Sequence, residues 1–139
     1  MIIMSVDLGL ARTGIALCDG MQTLAFPKTV IHEHNQPRLV EKVAALAKEY
    51  DAERIVVGLP RNMDGSEGER AQTCRELASK IEEQSGVEVV LRDERNTTVS
   101  AYTALNAGDV RGKKRKNVVD AVAATIILQD YLDYLKNTK

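Results

Sequence analysis

Apolar positions along this chain fall into two rhythms. Short, nearly unbroken runs at Ile2 to Val6, Ile15 to Leu17 and Arg54 to Leu59 read as strands buried on both faces. Between them, Leu39, Val43, Leu46, Ala47 and Tyr50 recur at helical spacing, as do Cys74, Leu77, Ala78 and Ile81. Asp19-Gly20 supplies a hairpin-type turn into a third, shorter strand from Lys28 to His32. Asn35-Gln36-Pro37 opens the first helix, with proline near its first turn, and Gly86 closes the second. A fifth strand spans Val87 to Leu91, with Asp93 and Glu94 just past its end. Asn96 or Thr97 can cap a short helix through Ala101, Leu105 and Ala107, which Gly108-Asp109 ends. The basic run RGKKRK, residues 111 to 116, then precedes a long helix from about Asn117 to Tyr134.

Three strands with short connections form an antiparallel meander. Strands separated by helices lie parallel, because a right-handed crossover needs the intervening helix. The expectation is an α/β domain: one mixed sheet of five strands, helices on both faces, and the first, fourth and fifth strands as parallel neighbours. In such sheets, sites lie beyond the carboxyl ends of the parallel strands. Asp7 and the Asp93-Glu94 pair share that edge.

Composition bounds the function. The 139 residues fit a single domain, and 44% hydrophobic with 28% charged is ordinary for a globular chain. No apolar run approaches membrane-spanning length and no signal peptide opens the chain, so a cytoplasmic protein with no membrane partner is expected. A net charge of -1 does not mark a general nucleic-acid binder, so any such binding must come from a local patch. Cys18 and Cys74 lie in apolar patterns and read as buried free thiols. His32 and His34 lack a third nitrogen or sulfur ligand and read as a surface strand end.

A third acid sharpens the chemistry. On the wheel of the last helix, Thr125, Gln129, Asp133 and Lys136 form one polar stripe, and Asp120 points roughly opposite, among Ala123, Ala124, Ile127 and Tyr131. A carboxylate on the sheet-facing side must be neutralised, by Lys116 one turn earlier or by a shared cation. Asp7, Glu94 and Asp120 together would repel one another without that cation. Oxygen-only ligation suits magnesium or manganese rather than zinc. Such ions can activate water and stabilise a leaving oxygen in phosphodiester cleavage.

The same residues carry a family signature. VDLGLARTGIA, VVGLP followed by DG, DERNTT, and NVVDAVAATIILQDYL resemble the YqgF/RuvX family across essentially the whole chain. The resemblance implies an RNase H-like fold, kinship with RuvC-type Holliday-junction resolvases, and a metal-dependent nuclease that trims the 5′ end of the 16S ribosomal RNA precursor. It puts the family's acids on Asp7, Glu94 and Asp120, its first-motif arginine on Arg12, and the threonine pair after the second acid on Thr97 and Thr98. It also prefers Glu94 over Asp93, which alternation alone does not decide. Many wider RNase H relatives place an acid at the end of the fourth strand, where this chain has Gly58-Leu59-Pro60.

Arg12, Arg61 and Arg95 lie on loops at the acid edge, where guanidinium forks can grip phosphates or pair with neighbouring acids. Arg111, Lys113, Lys114, Arg115 and Lys116 stand beside the acids in a near-neutral chain, which favours contact with a phosphate backbone. Gly65 and Gly68 mark the 61–68 loop as a surface connection or a cover for substrate. Besides a nuclease acting on ribosomal RNA precursor, alone or on ribosomal particles, two readings stand: a resolvase for branched DNA, which needs a homodimer rather than a monomer, and a non-catalytic ribosome-associated factor. DLGLARTG could also serve an actin/hexokinase-type phosphate loop, but that fold duplicates its sheet and 139 residues hold one copy.

Overall fold

The computed structural model describes residues 1–60, 66–93 and 112–137, with side chains through 60, from 66 to 93 and from 121 to 137. Five strands, β1 (Ile2–Asp7), β2 (Arg12–Cys18), β3 (Ala25–His32), β4 (Ala52–Leu59) and β5 (Glu88–Asp93), form one sheet in the order β3-β2-β1-β4-β5. β1 pairs antiparallel with β2 and parallel with β4, and β4 pairs parallel with β5. The mixed sheet and its three parallel neighbours are as the sequence implies. Three helices accompany it among the described residues: α1 (Gln36–Glu49), α2 (Glu69–Ser85) and α3 (Gly112–Asn137).

Alternation along the strands sorts the core into two layers. Met4, Val6, Ile15, Leu17, Ile55 and Val57 pack beneath α1 and α2, with Leu39, Val43, Cys74, Leu77 and Ile81. Ile3, Ala16, Cys18 and Val56 face α3, against Ala124, Ile127, Leu128, Tyr131 and Leu132. Each fully buried aliphatic side chain contributes ~1.5–3 kcal/mol, so both layers are substantial. The small Ala123 and Ala124, both buried, let α3 lie close to the sheet. Cys18 and Cys74 are buried free thiols.

Caps follow the sequence. The Asn35 side chain accepts from the Arg38 amide at 3.0 Å, and Gly86 ends α2 at φ 70°. The β2–β3 loop is gathered by Asp19, whose carboxylate accepts from the amides of Leu24 and Thr23 at 3.1 and 2.7 Å. Those two bonds hold its carboxyl below the usual carboxylate range.

Boundaries differ from expectation in several places. β2 starts at Arg12 rather than Ile15, because its ladder with β3 begins with Arg12 opposite His32, so Arg12 opens a strand instead of lying on a loop; β4 starts at Ala52 rather than Arg54. β3 starts at Ala25, not Lys28, because Pro27 sits on an edge strand, where its missing N–H costs no ladder bond. The strand bulges there: Ile15 faces Thr29 while Ala16 faces Pro27, leaving Lys28 as the extra residue. β5 continues through Arg92 to Asp93, so Asp93 is the last strand residue rather than a loop residue. The last helix begins at Gly112, so 112–116 form its opening turns instead of preceding it. Lysine and arginine are good helix formers, and no proline interrupts the run. The short helix expected near 96–107 and the glycine-rich 61–65 segment lie outside the described residues.

Candidate active site

Asp7 ends β1, half-buried, and alternation sets it on the α3 face with Ile3 and Ser5. Its cross-strand partner on β2 is Gly14. On β4 the ladder reaches Val6 opposite Val57, so the next position beside Asp7 is Gly58. Both neighbours of this carboxylate therefore lack side chains. Arg12, two residues from Gly14 along β2, belongs to the same face as Ala16 and Cys18. Asp7 and Arg12 thus share one corner of the sheet, an acid and a guanidinium above two glycines.

Asp93 does not join them. Val89 and Leu91 pack toward α1 and α2, and Asp93 continues that alternation onto the face opposite Asp7. The strand geometry thereby assigns Asp93 a face, which sequence periodicity could not do.

The height of α3 is set by Ser5, whose buried hydroxyl donates to the carbonyl of Ala124 at 2.6 Å. Beyond that point α3 descends toward the amino end of β1. Leu128 and Leu132 pack in the layer of Ile3, and Gln129 bridges the Ala25 amide and the Thr23 carbonyl at 3.0 and 3.1 Å. In the other direction, two strand residues from Ser5 to Asp7 climb ~6.6 Å. Four helical residues from Ala124 back to Asp120 climb ~6 Å. The backbone of Asp120 accordingly lies at the level of Asp7.

Other expected residues divide plainly. Lys113, Lys114, Arg115 and Lys116 belong to the opening turns of α3, beyond the level of Asp120. Glu94, Arg61, Arg95, Thr97, Thr98 and Arg111 lie outside the described residues. Among the described residues no cluster of three histidine, cysteine or acidic groups stands by itself as a metal site, and His32 and His34 are both exposed.

Two residues at this corner escape a sequence reading. Arg70, in the first turn of α2, donates its guanidinium to the carbonyl of Leu8, directly after Asp7. Nothing in the sequence marks that contact across 62 positions. Ser5 did leave a signal: it is the polar interruption in an otherwise apolar strand.

Residues 1–134 match the family described as RuvX: Holliday junction resolvase. The chain belongs to the RuvX family. A Bacillus cytotoxicus protein named "Putative pre-16S rRNA nuclease" is 41% identical over 133 residues, covering 94% of this chain and 97% of its own. A protein of the same name from Bacillus thuringiensis is 38% identical over the same coverage. In three dimensions the RuvX chain resembles Thermus thermophilus RuvC, with a TM-score of 0.62 at 14% identity, covering 99% of this chain and 98% of that one. The fowlpox virus resolvase, solved with Holliday junction DNA, aligns with a TM-score of 0.58 at 13% identity over 97% of this chain and 99% of that one. At such identities the likeness is one of fold, the RNase H-like fold that the motifs implied.

Proposed function

We propose that this chain is a magnesium- or manganese-dependent nuclease that hydrolyses phosphodiester bonds in 5′-end maturation of the 16S ribosomal RNA precursor. The observation that carries the reading is the shared level of Asp7 and Asp120 on the α3 face, with Arg12 beside Asp7. The close relatives named for pre-16S rRNA support the substrate.

The donor set fits a hard divalent cation. Asp7 offers carboxylate oxygen between Gly14 and Gly58, and Asp120 belongs to α3 at the same level. Glu94 completes the set in this reading, since Asp93 faces the other layer. A cation held there supplies charge neutralisation at the phosphate and a more acidic bound water. The chain's own residues do the remainder. Arg12 binds a phosphate oxygen and orients the backbone, joined by Arg61 and Arg95. Arg111, Lys113, Lys114, Arg115 and Lys116 hold flanking phosphates, and Thr97 and Thr98 hydrogen-bond the substrate near Glu94. No helix among the described residues is long and apolar enough to cross a membrane. We place the protein in the cytoplasm, as a single domain working on ribosomal RNA.

The family's description as a Holliday junction resolvase favours branched DNA as the second reading. That activity needs two active sites facing two strands, hence a symmetric dimer.

Side-by-side assay of the purified chain on an RNA spanning the 5′ end of 16S RNA and on a four-way DNA junction, with either metal, decides between them. The RNA is cut and the junction is not. Asp7→Asn and Asp120→Asn each lose about a hundredfold or more in rate. Normal cleavage by Asp120→Asn overturns the three-acid site, and cutting of the junction alone overturns the RNA assignment.

A further inference from the structure

The turn that joins β1 to β2 is braced at every residue but its tip. The Leu8 carbonyl accepts from Arg70, the Gly9 amide reaches the Thr13 hydroxyl at 3.4 Å, and the Ala11 carbonyl accepts from the Glu33 amide at 3.1 Å. A Cβ on Gly9 would stand 1.9 Å from the Arg12 carbonyl oxygen, so the backbone there has no slack. Leu10 projects from this turn with 77% of its surface exposed. Isolated exposed leucines are ordinary, and a turn tip is satisfied equally well by a polar residue. Place is what separates Leu10 from the rest. Of the six exposed large hydrophobic residues among those described, Met1, Met21, Leu24 and Phe26 cluster at the opposite end of the sheet, and Tyr134 lies near the end of α3. Leu10 alone occupies the acid edge, between Asp7 and Arg12.

We propose that Leu10 is a substrate-contacting residue that packs on the face of a nucleobase beside the scissile phosphate, selecting RNA whose bases are unstacked there. The inference rests on the nuclease reading of Asp7 and Arg12. A phosphate gripped by Arg12 brings its attached nucleotide to the tip of the turn. An apolar side chain on a rigid support meets a base face without regard to its identity, and competes with stacking only where the strand is open. A base buried in a duplex offers that side chain no free face, so the contact reads strandedness rather than sequence.

The test is equilibrium binding in the Asp7→Asn background, which separates recognition from cleavage. The probes are one RNA oligonucleotide, single-stranded or annealed, with 2-aminopurine substituted at successive positions. Leu10→Ala weakens single-strand binding about tenfold and leaves duplex binding unchanged. It also abolishes the 2-aminopurine fluorescence change at one position, and Leu10→Met restores both. With Asp7 intact, Leu10→Ala raises KM on single-stranded RNA and leaves kcat and the melting temperature as they were. Unchanged single-strand affinity overturns the proposal, as does an equal loss on both probes. Loss confined to co-sedimentation with ribosomal particles overturns it too, making Leu10 a protein contact. Failure of the nuclease reading shows separately, as full cleavage by Asp7→Asn.

Discussion

The Ser5 hydroxyl and the Ala124 carbonyl, 119 positions apart in sequence, meet at 2.6 Å inside the layer between β1 and α3. This one bond fixes how far α3 has slid along the strand, and with it the heights of Asp7 and Asp120. Ser5→Ala removes the bond and leaves the carbonyl its helical partner, costing about 1 kcal/mol. Ser5→Val adds volume to a fully buried position and costs ~1–3 kcal/mol. Urea unfolding measures both. If the bond governs the acid spacing, Ser5→Ala also requires more magnesium for half-maximal cleavage, and Ser5→Thr recovers part of the loss.

Gly9→Ala is expected to be disproportionately harmful for one methyl group. Its Cβ would meet the backbone of Arg12 rather than a movable side-chain end, so the turn itself must shift. A destabilisation of ~1–3 kcal/mol follows, in the range of overpacking elsewhere. Displacement of Arg12 should lower the cleavage rate beyond what thermal unfolding at the assay temperature explains.

Arg70 acts on the turn from the other side. Arg70→Ala withdraws a charged donor from the Leu8 carbonyl, and bonds to charged groups are worth ~1.5–3 kcal/mol. Cleavage should fall about tenfold or more. Arg70→Lys should recover only part, since an ammonium cannot reproduce the planar fork. A rate equal to wild type for Arg70→Ala would show that the turn keeps its shape without the arginine.

Cys18 gives a pH signature. Burial raises its thiol pKa, outweighing the Ile3 amide that donates to the sulfur at 3.2 Å. Its contribution to stability is therefore complete below the pKa of the unfolded thiol, ~8.5, and is lost as pH rises through the higher folded value. Melting temperatures measured upward from pH 8.5 should fall more steeply for wild type than for Cys18→Ala. Alkylation of Cys18 should track unfolding rather than thiolate formation in the native state.

Local signals carried much of the architecture into the sequence. Asn35 and Gly86 sit where a cap needs them, and the runs of β1 and β4 are apolar on both faces because helices cover both. Boundaries failed where tertiary placement changed the meaning of a residue. Pro27 breaks an interior strand but not an edge one, and Arg92 stays in β5 because its guanidinium lies over Tyr131 and Tyr134. Asp7 was legible as a charge ending a buried strand. The face that Asp93 takes was not, because the face of β5 depends on register with β4. Gln129 read as a solvent-side stripe residue, yet it ties α3 to the β2–β3 loop. Contacts such as Ser5 with Ala124 and Arg70 with Leu8 are long-range, and no periodicity encodes them.

The bulge at Lys28 and the neighbouring Pro27 bear on how copies of this protein behave when crowded together. An outer strand normally advertises a row of open hydrogen-bonding groups to any passing chain. Here one N–H is absent, the row is out of step by a residue, and an exposed lysine stands at the fault. A second sheet cannot zip onto this side in register. Self-association through β3 is thereby disfavoured, and the β1–β2 turn beside it stays open to a polymer far larger than the protein.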